Sequence, residues 1–279
     1  MGSSVISLGL GLGCGKAATS SGILSASGLE NTYSVDFDGT DDDIRTNYNP
    51  PGTLGTFSMS FWLKTSSAGV YTLGATMGNN TSAGFQGPGL ITSSGNGSGF
   101  LIAWDGWTSG WNPSALGGTG AALDLFDGLW HNLTYTINET SVKLYKDGGD
   151  AAINASNTSN NQGTPFGSIT ATSALSNNGF DQNPNYSYVI GSFRNGYRFN
   201  GLMDEVAMFE TELSGSDVSA IYNGGIPTDL KSFDPSGWWR MGDNDGGTGT
   251  TITDQGSRGN DGTLTNFSVG TGFSTDVPS

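Results

Sequence analysis

The sequence predicts an all-β protein, a sandwich of two antiparallel sheets with one short helix. Glycine accounts for 46 of the 279 residues, and Asn, Ser and Thr are plentiful, which suits a protein with many turns. Hydrophobic residues make up 34% of the chain and aromatic residues 11%, which is too apolar for a disordered chain. Strand-like alternation recurs along the sequence, whereas one segment carries a helical stripe.

The first strand signals lie in residues 33–46, where Tyr33, Val35 and Phe37 alternate with polar residues before an Asp-Gly turn and a second short strand. A third strand, residues 56–65, alternates more strictly and is predicted to have one buried face. Its inward residues are Phe57, Met59, Phe61 and Leu63, and its outward residues are Ser58, Ser60 and Lys64.

Residues 127–148 predict a hairpin, because two alternating runs are separated by an Asn-Glu turn and followed by an Asp-Gly turn. His131 is the only histidine in the chain. It alternates with Leu133 and Tyr135 along the first strand of the hairpin. We therefore expect a core-facing structural role for this histidine and no catalytic one.

The helix is predicted over residues 214–223. Ser214 followed by Asp217 forms a capping-box pattern at its start, an apolar stripe at i, i+3 and i+4 begins at Val218, and Gly224 supplies a left-handed stop. The strand that precedes the helix, residues 197–209, is expected to turn three side chains toward a core: Leu202, Val206 and Phe209.

Taken together, these motifs resemble the laminin-G-like branch of the concanavalin A-like lectin/glucanase superfamily. The similar segments are the opening FDGTDD, the strand FSMSFWLK, the GLWH hairpin and the closing GLMDEV strand with its LSGSDVSAIYNGG helix. The resemblance implies a jelly-roll sandwich spanning residues 31–226. It leaves a Gly/Ser-rich N-terminal arm, residues 1–30, and a C-terminal tail, residues 227–279.

The tail departs from the family order. Residues 236–265 resemble a lead-in that stands at the start of many laminin-G-like chains, yet here they stand at the end. Two alternatives follow. Either the sandwich takes its first strand from the tail, which neighbouring chain termini would permit, or the tail docks to neighbouring subunits.

The chain lacks the signs of an enzyme. Glucanases of the superfamily carry an E-x-D-x-E strand whose carboxylates do the hydrolysis, and this sequence contains no such triplet. Asp204 and Glu205 are neighbours in a strand, so we expect their side chains to point to opposite faces. With one histidine and one cysteine, a nucleophilic triad or a zinc site is disfavoured. We expect a non-enzymatic protein, with a glycoside hydrolase as the weaker alternative.

The resemblance also implies a structural calcium site, because family members hold calcium where the opening turn lies beside the closing strand. The residues that match are Asp38, Asp41 and Asp204, and carboxylate oxygens are ligands that calcium prefers. The alternative is that these aspartates serve turn chemistry, since Asp is favoured in Asx-turns.

Three tryptophans are candidates for ligand binding. Trp104, Trp107 and Trp111 lie close together in a loop-like stretch, and the apolar face of a sugar ring suits an indole surface. The alternative is that they pack against the edge of the sandwich, because tryptophan is usually mostly buried.

Charge and hydropathy limit the partners. The formal net charge is −15, which disfavours nucleic acids and anionic membranes, and no apolar run approaches the roughly 20 residues of a membrane span. Residues 1–30 make a poor secretory signal. The acidic chain with its WWRMGD segment, residues 238–243, also resembles laminin-G-like chains encoded by marine phages. This resemblance implies a virion protein of a tailed phage, present in many copies and contacting itself, other virion proteins and cell-surface glycans. The alternative is an extracellular carbohydrate-binding module of a marine microbe.

Overall fold

The structure is a computed structural model, and every strand pairing that it describes is antiparallel. The residues it describes are 23–24, 29–49, 56–67, 72–73, 75–78, 89–93, 99–103, 114–116, 125–137, 141–150, 169–170, 187–193, 197–268 and 272–279. Among them, no helix is long and apolar enough to cross a membrane.

Twenty-two short strands make up the described fold. In the first half they are β1 Ile23–Leu24, β2 Glu30–Asn31, β3 Ser34–Asp38, β4 Asp43–Thr46, β5 Phe57–Lys64, β6 Thr72–Leu73, β7 Ala75–Gly78, β8 Gly89–Ser93, β9 Gly99–Ala103, β10 Ser114–Leu116 and β11 Trp130–Ile137. In the second half they are β12 Ser141–Lys146, β13 Gly149–Asp150, β14 Ile169–Thr170, β15 Ser187–Ile190, β16 Ser192–Phe193, β17 Tyr197–Arg198, β18 Asn200–Phe209, β19 Gly237–Trp239, β20 Thr251–Ile252, β21 Gly262–Thr265 and β22 Phe273–Ser274.

Two sheets form the sandwich. The larger has the strand order β13-β12-β11-β5-β18-β3-β22, with β14 beside β12 and β19 beside β18, and the smaller has the order β20-β21-β4-β15-β7. The main core contains residues of both sheets and is rich in aromatic rings. Its largest fully buried members are Phe37, Phe57, Phe61, Tyr48, Tyr135, Tyr188, Phe199 and Trp239. This arrangement confirms the expected two-sheet antiparallel sandwich.

The outward face of β5 is buried too, so the prediction of one buried face was wrong. Ser58 and Ser60 are almost completely buried, and hydrogen bonds satisfy them: the Ser58 hydroxyl donates to the Thr211 carbonyl (2.8 Å), and the Thr134 hydroxyl lies 2.9 Å from the Ser60 oxygen. The helix and the C-terminal segment cover this second face. With side chains of β12 and β18 they form a second apolar cluster: Tyr145, Ala207, Phe209, Leu213, Val218, Ile221, Leu230 and Trp238.

Helix α1 spans Gly215–Tyr222 and is the single α-helix of the described residues. Its capping box is confirmed: the Ser214 hydroxyl accepts from the Asp217 backbone N–H, and the Asp217 carboxylate accepts from the Ser214 N–H. The left-handed stop begins one residue earlier than expected, at Asn223 (φ 48°), with Gly224 following in the same region (φ 68°). Two 3-10 turns follow, Asn223–Gly225 and Leu230–Phe233.

A β-bulge changes which residues of β18 face the core. The register of β18 against β5 shifts between Asp204 and Ala207. Met203 and Val206 enter the main core and Phe209 enters the second cluster, whereas Leu202 is half-buried and lies outside both. The expectation for Leu202 was therefore wrong, because the residue points to the second face, opposite Lys64 at the end of β5.

The C-terminal segment adds strands to both sheets. Strand β19 pairs with β18 and β22 pairs with β3 in the larger sheet, while β20 and β21 extend the smaller sheet beyond β4. Trp238 enters the second cluster, and Trp239 enters the main core. Of the two alternatives for the tail, the structure has the one in which it supplies strands, and the sheets continue past residue 226.

Candidate functional site

The acidic turn between β3 and β4 brings together two of the predicted calcium ligands. Gly39 adopts a left-handed conformation (φ 75°), and the Asp38 carboxylate accepts from the Thr40 N–H at 2.7 Å. One carboxylate oxygen from each of Asp38, Asp41 and Asp42 lies within 4.8 Å of the other two. These oxygens fit a hard cation, and they also satisfy the turn itself.

Mutual repulsion at this turn is visible in Asp42. Burial, followed by the charges of Asp38, Asp41 and Asp36, raises the pKa of Asp42, while the hydrogen bond from the Asp38 N–H opposes the rise. A bound cation would offset both the repulsion and the desolvation of these carboxylates.

The third predicted ligand, Asp204, lies elsewhere. Asp38 is paired with Asn200, and Val35 with Met203, so Asp204 is four residues away from Asn200 along β18. At about 3.3 Å per residue this separation is about 13 Å, too far for one cation to contact both Asp38 and Asp204. The structure therefore brings Asp38 and Asp41 together and leaves Asp204 out.

Asp204 belongs instead to a buried acidic cluster at the bulge. Glu205 adopts a left-handed conformation (φ 48°), its N–H donates to the Asp204 carboxylate at 2.8 Å, and the Asn31 side-chain amide donates to the same carboxylate at 3.1 Å. Burial, followed by the charge of Glu205, raises the pKa of Asp204 well above its ordinary value. The bulge breaks the regular alternation on which we based the expectation that the two side chains point to opposite faces.

Glu205 is held by the C-terminal segment. Its carboxylate accepts from the Trp238 indole N–H at 2.6 Å and from the Arg240 Nε at 2.9 Å. Arg240 also donates to Asp243 at 3.0 Å, and its guanidinium lies 5.5 Å from the Trp238 ring centre. Asp204 is completely buried and Glu205 is 3% exposed. A substrate therefore has no access to these two acids.

His131 has the structural role expected of it. Its Nδ1 lies 2.9 Å from the Asp147 carboxylate, and its Nε2 lies 3.3 Å from that of Asp127. Burial opposes protonation, but the hydrogen bond and charge of Asp147 raise the pKa of His131 overall. The imidazole ties the turn before β11 to the turn after β12.

The tryptophans Trp104, Trp107 and Trp111 lie outside the described residues. In the sequence they fall between β9 and β10, two strands that pair in a separate four-stranded sheet with the order β10-β9-β8-β6. Their role in binding stays a prediction.

A family model described as the concanavalin A-like lectin/glucanases superfamily matches residues 38–219. This match covers more than half of the chain. The chain belongs to this superfamily. The resemblance seen in the motifs is thereby confirmed, and the match ends before β19 although that strand is part of the sandwich. No curated protein sequence matches the chain.

Several solved structures are similar to the chain. A protein from Bacteroides ovatus ATCC 8483, for which carbohydrate binding is inferred, is 19% identical with a TM-score of 0.51; the match covers 90% of this chain and 62% of that one. The CBM40 domain of the Ruminococcus gnavus IT-sialidase is 17% identical with a TM-score of 0.45, and the match covers 68% of this chain and 96% of that one. Domain 4 of AbnA, an arabinanase from Geobacillus stearothermophilus, is 18% identical with a TM-score of 0.44, and the match covers 68% and 76% of the two chains.

One surface group of this superfamily domain was missed by the sequence reasoning. Trp130, Lys64 and Asp276 meet at the end of the large sheet: the Asp276 carboxylate accepts from the Trp130 indole N–H at 2.8 Å and from the Lys64 ammonium at 2.5 Å. Pairing the two strand motifs in register could have placed Trp130 beside Lys64. No local signal pointed to Asp276, which is more than 140 residues from either partner along the chain.

Proposed function

We propose that this chain is a non-enzymatic glycan-binding domain. The observation that carries the proposal is the state of the Asp204–Glu205 pair, the two adjacent acids of β18. In a superfamily that contains lectins and glucanases, this pair is closed off by the C-terminal segment, and Glu205 is engaged by Trp238 and Arg240. Hydrolysis needs two accessible carboxyl groups at a set separation. Together with the absence of an E-x-D-x-E triplet from the sequence, the burial argues against hydrolysis by this pair, and the lectins of the superfamily support glycan binding.

The glycan-binding proposal predicts specific losses. Replacing Trp104, Trp107 and Trp111 together by alanine should weaken binding of the intact chain to an immobilised oligosaccharide panel, because each ring that stacks on a sugar contributes apolar contact. The variant should keep the melting temperature of the wild type if these rings face solvent. The matched control, Thr263→Ala on the exposed face of the smaller sheet, should bind as the wild type does. The proposal is contradicted if the wild type binds no oligosaccharide of the panel, or if it releases measurable reducing sugar from a polysaccharide.

We further propose that the domain works in many copies in a virus particle, where it contacts itself, other virion proteins and host-surface glycans. The sequence resemblance to acidic phage proteins with a W-W-R-M-G-D segment supports this context. Avidity supports it as well, because a module that binds one sugar weakly gains adhesion when many copies act together. An exported carbohydrate-binding module is the competing context.

Deleting residues 1–22 of the N-terminal arm separates the two contexts. The deletion should stop at residue 22, because β1 pairs with β2, Leu29 packs against the second cluster and the Glu30 carbonyl accepts from Arg240. We expect the truncated chain to stay folded but to be missing from particles, as judged by negative-stain imaging with an antibody to the chain. Normal incorporation of the truncated chain, or particles on which the antibody detects no full-length chain, would count against a virion role.

We also propose a structural calcium ion at the acidic turn, held by Asp38, Asp41 and Asp42. Because calcium would bind the native state, a concentration of about 100 times Kd should stabilise the fold by about 2.7 kcal/mol. The melting temperature of the wild type should rise with calcium and fall with a chelator, and Asp41→Asn should reduce this response. Asp229→Asn, a matched change at the start of the second 3-10 turn, should leave the response intact. Equal melting temperatures with calcium and with chelator would refute the site.

A further inference from the structure

The large sheet presents one continuous row of side chains on its second face, at the end where β5 finishes and β11 begins. The strand registers place Trp130 opposite Lys64, Lys64 opposite Leu202, and Leu202 opposite Asp36. Directly opposed residues of antiparallel strands share a face. Trp130, Lys64 and Leu202 are half-buried, and Asp36 is exposed. Here the second face is open to solvent, whereas Ser58 and Ser60 of the same face are covered.

Two apolar side chains at this end of the sheet reach the solvent. Leu129 is 61% exposed and is the one large hydrophobic side chain, among the residues that the structure describes, to be so exposed. It directly precedes Trp130, which also keeps part of its surface in solvent. A single exposed leucine is ordinary on a soluble protein, so the partly exposed indole of Trp130 is the apolar surface that a ligand could contact.

Asp276 brings polar groups to the edge of the indole. The residue follows β22, and its backbone carbonyl is held by the Ser34 hydroxyl at 2.7 Å. The indole N–H donates in the plane of the ring, so the Asp276 carboxylate lies at the rim of Trp130 and not over its face. Lys64 reaches the other carboxylate oxygen. The side chains of Asp276 and Lys64 are 45% and 30% exposed, so a ligand can reach both.

The carboxylate has acceptor capacity beyond these two contacts. An ionised carboxylate accepts at about four lone-pair positions, and Trp130 and Lys64 fill two of them. Although partial burial favours the neutral form, the hydrogen bonds from Lys64 and Trp130 lower the pKa of Asp276 overall. The group therefore stays an acceptor over the ordinary pH range.

We propose that Trp130, Lys64 and Asp276 form a binding site for a terminal neutral hexopyranose of a glycan. The C–H face of the sugar would stack on the exposed part of the indole, two neighbouring hydroxyls would donate to Asp276 at the rim, and the Lys64 ammonium would donate to a hydroxyl oxygen. The galacto configuration is the case that we test, because its axial hydroxyl at C4 gathers the C–H groups at C3, C4 and C5 on the opposite ring face. This site rests on the proposed glycan-binding function and places it on residues other than Trp104, Trp107 and Trp111.

The test uses the full chain and methyl β-galactopyranoside, titrated by calorimetry. Asp276→Asn and Lys64→Gln should each raise Kd at least about tenfold, since each removes a charge-assisted hydrogen bond. Trp130→Phe keeps an aromatic face but loses the indole N–H that orients Asp276, and it should also raise Kd. Thr263→Ala, on the opposite sheet, should leave Kd unchanged. Melting curves of each variant identify any loss that is due to unfolding.

The experiment distinguishes failure of this site from failure of the proposed function. If the wild type binds other members of an oligosaccharide panel and the alanine variant of Trp104, Trp107 and Trp111 abolishes that binding, while Asp276→Asn and Lys64→Gln bind as the wild type does, this site is overturned and glycan binding stands. If the wild type binds no sugar of the panel at all, the proposed function fails and this site fails with it. Selective loss of galactoside binding in the folded Asp276→Asn and Lys64→Gln variants supports the site.

Discussion

A chain that ends at residue 226 is expected to be unfolded, although it contains every residue that the family model matches. The removed segment supplies several buried side chains to the two apolar clusters: Trp238, Trp239, Met241, Ile252 and Leu264. Burying a large apolar side chain contributes about 1.5–3 kcal/mol, so the loss of five exceeds about 7 kcal/mol. This is comparable to the whole stability of a typical domain, about 5–15 kcal/mol.

The truncation also removes hydrogen bonds and strand pairings. Removing Trp238 and Arg240 leaves Glu205 without the two groups that donate to it, and β3 and β4 become sheet edges that lose β22 and β21. The measurement is near-ultraviolet circular dichroism with a thermal melt, in which the truncated chain should show no cooperative transition. A chain of residues 23–279 is the control and should melt cooperatively. A cooperative melt of residues 1–226 would show that the tail is dispensable.

The family order of motifs explains why the tail could be interpreted in two ways from sequence. Residues 236–265 resemble a family lead-in, so the tail could be expected either to supply a strand, as β19 does, or to dock to a neighbour. Whether the strand pairs with its own sandwich or with a neighbour depends on contacts across more than 30 residues of sequence, such as the Trp238–Glu205 hydrogen bond. A single sequence carries no signal for that pairing.

Local rules predicted the helix and the strand alternation well, and they failed where tertiary contacts determine which residues are buried. Ser214 and Asp217 cap α1 as expected because the capping box involves only four consecutive residues. Ser58 and Ser60 look like solvent-facing residues, yet α1 and the C-terminal segment cover them. Alternation shows that a strand has two different faces, but it does not show whether a polar face is packed against another element.

The candidate calcium site could likewise be predicted from sequence only in part. Asp38 and Asp41 lie in one turn, so their proximity could be predicted from sequence. Asp204 was assigned to that turn through the family resemblance, and the register of β18 against β3 puts it about 13 Å away. Its neighbours Asn31 and Asp243 come from opposite ends of the chain. Sequence spacing therefore gave no indication of the buried acidic cluster.

That buried cluster leads to a pH-dependent result: Arg240→Met should cost about 3–5 kcal/mol of stability at pH 8 and much less at pH 5. Arg240 is the one cation that contacts Glu205 and Asp243 among the described residues. Removing one partner of a buried ion pair leaves an uncompensated charge, which is strongly destabilising. Methionine keeps most of the side-chain volume, so packing loss is minimised.

Part of the pH dependence follows from Glu205. Burial raises its pKa from 4.5 to about 7, even though Arg240 and Trp238 oppose the rise. The folded state therefore holds a proton that the unfolded state has released between about pH 4.5 and pH 7, and the stability of the wild type falls as pH increases through this window. Without Arg240 the folded pKa rises further. The variant should then lose more stability than the wild type between pH 5 and pH 8.

Urea unfolding at pH 5 and pH 8 measures both effects. Lys143→Met is the matched control, because Lys143 forms a half-exposed ion pair with Glu212 at 3.7 Å and such pairs contribute about 0–1 kcal/mol. Its cost should be small at both pH values. Glu205→Gln should reduce the pH dependence of the wild type between about pH 4.5 and pH 7, because one titrating group is gone, while Asp204 and Asp243, whose pKa values burial also raises, remain. An Arg240→Met variant whose cost is the same at pH 5 and pH 8 would show that Arg240 acts through packing on Trp238 and not through the buried carboxylates.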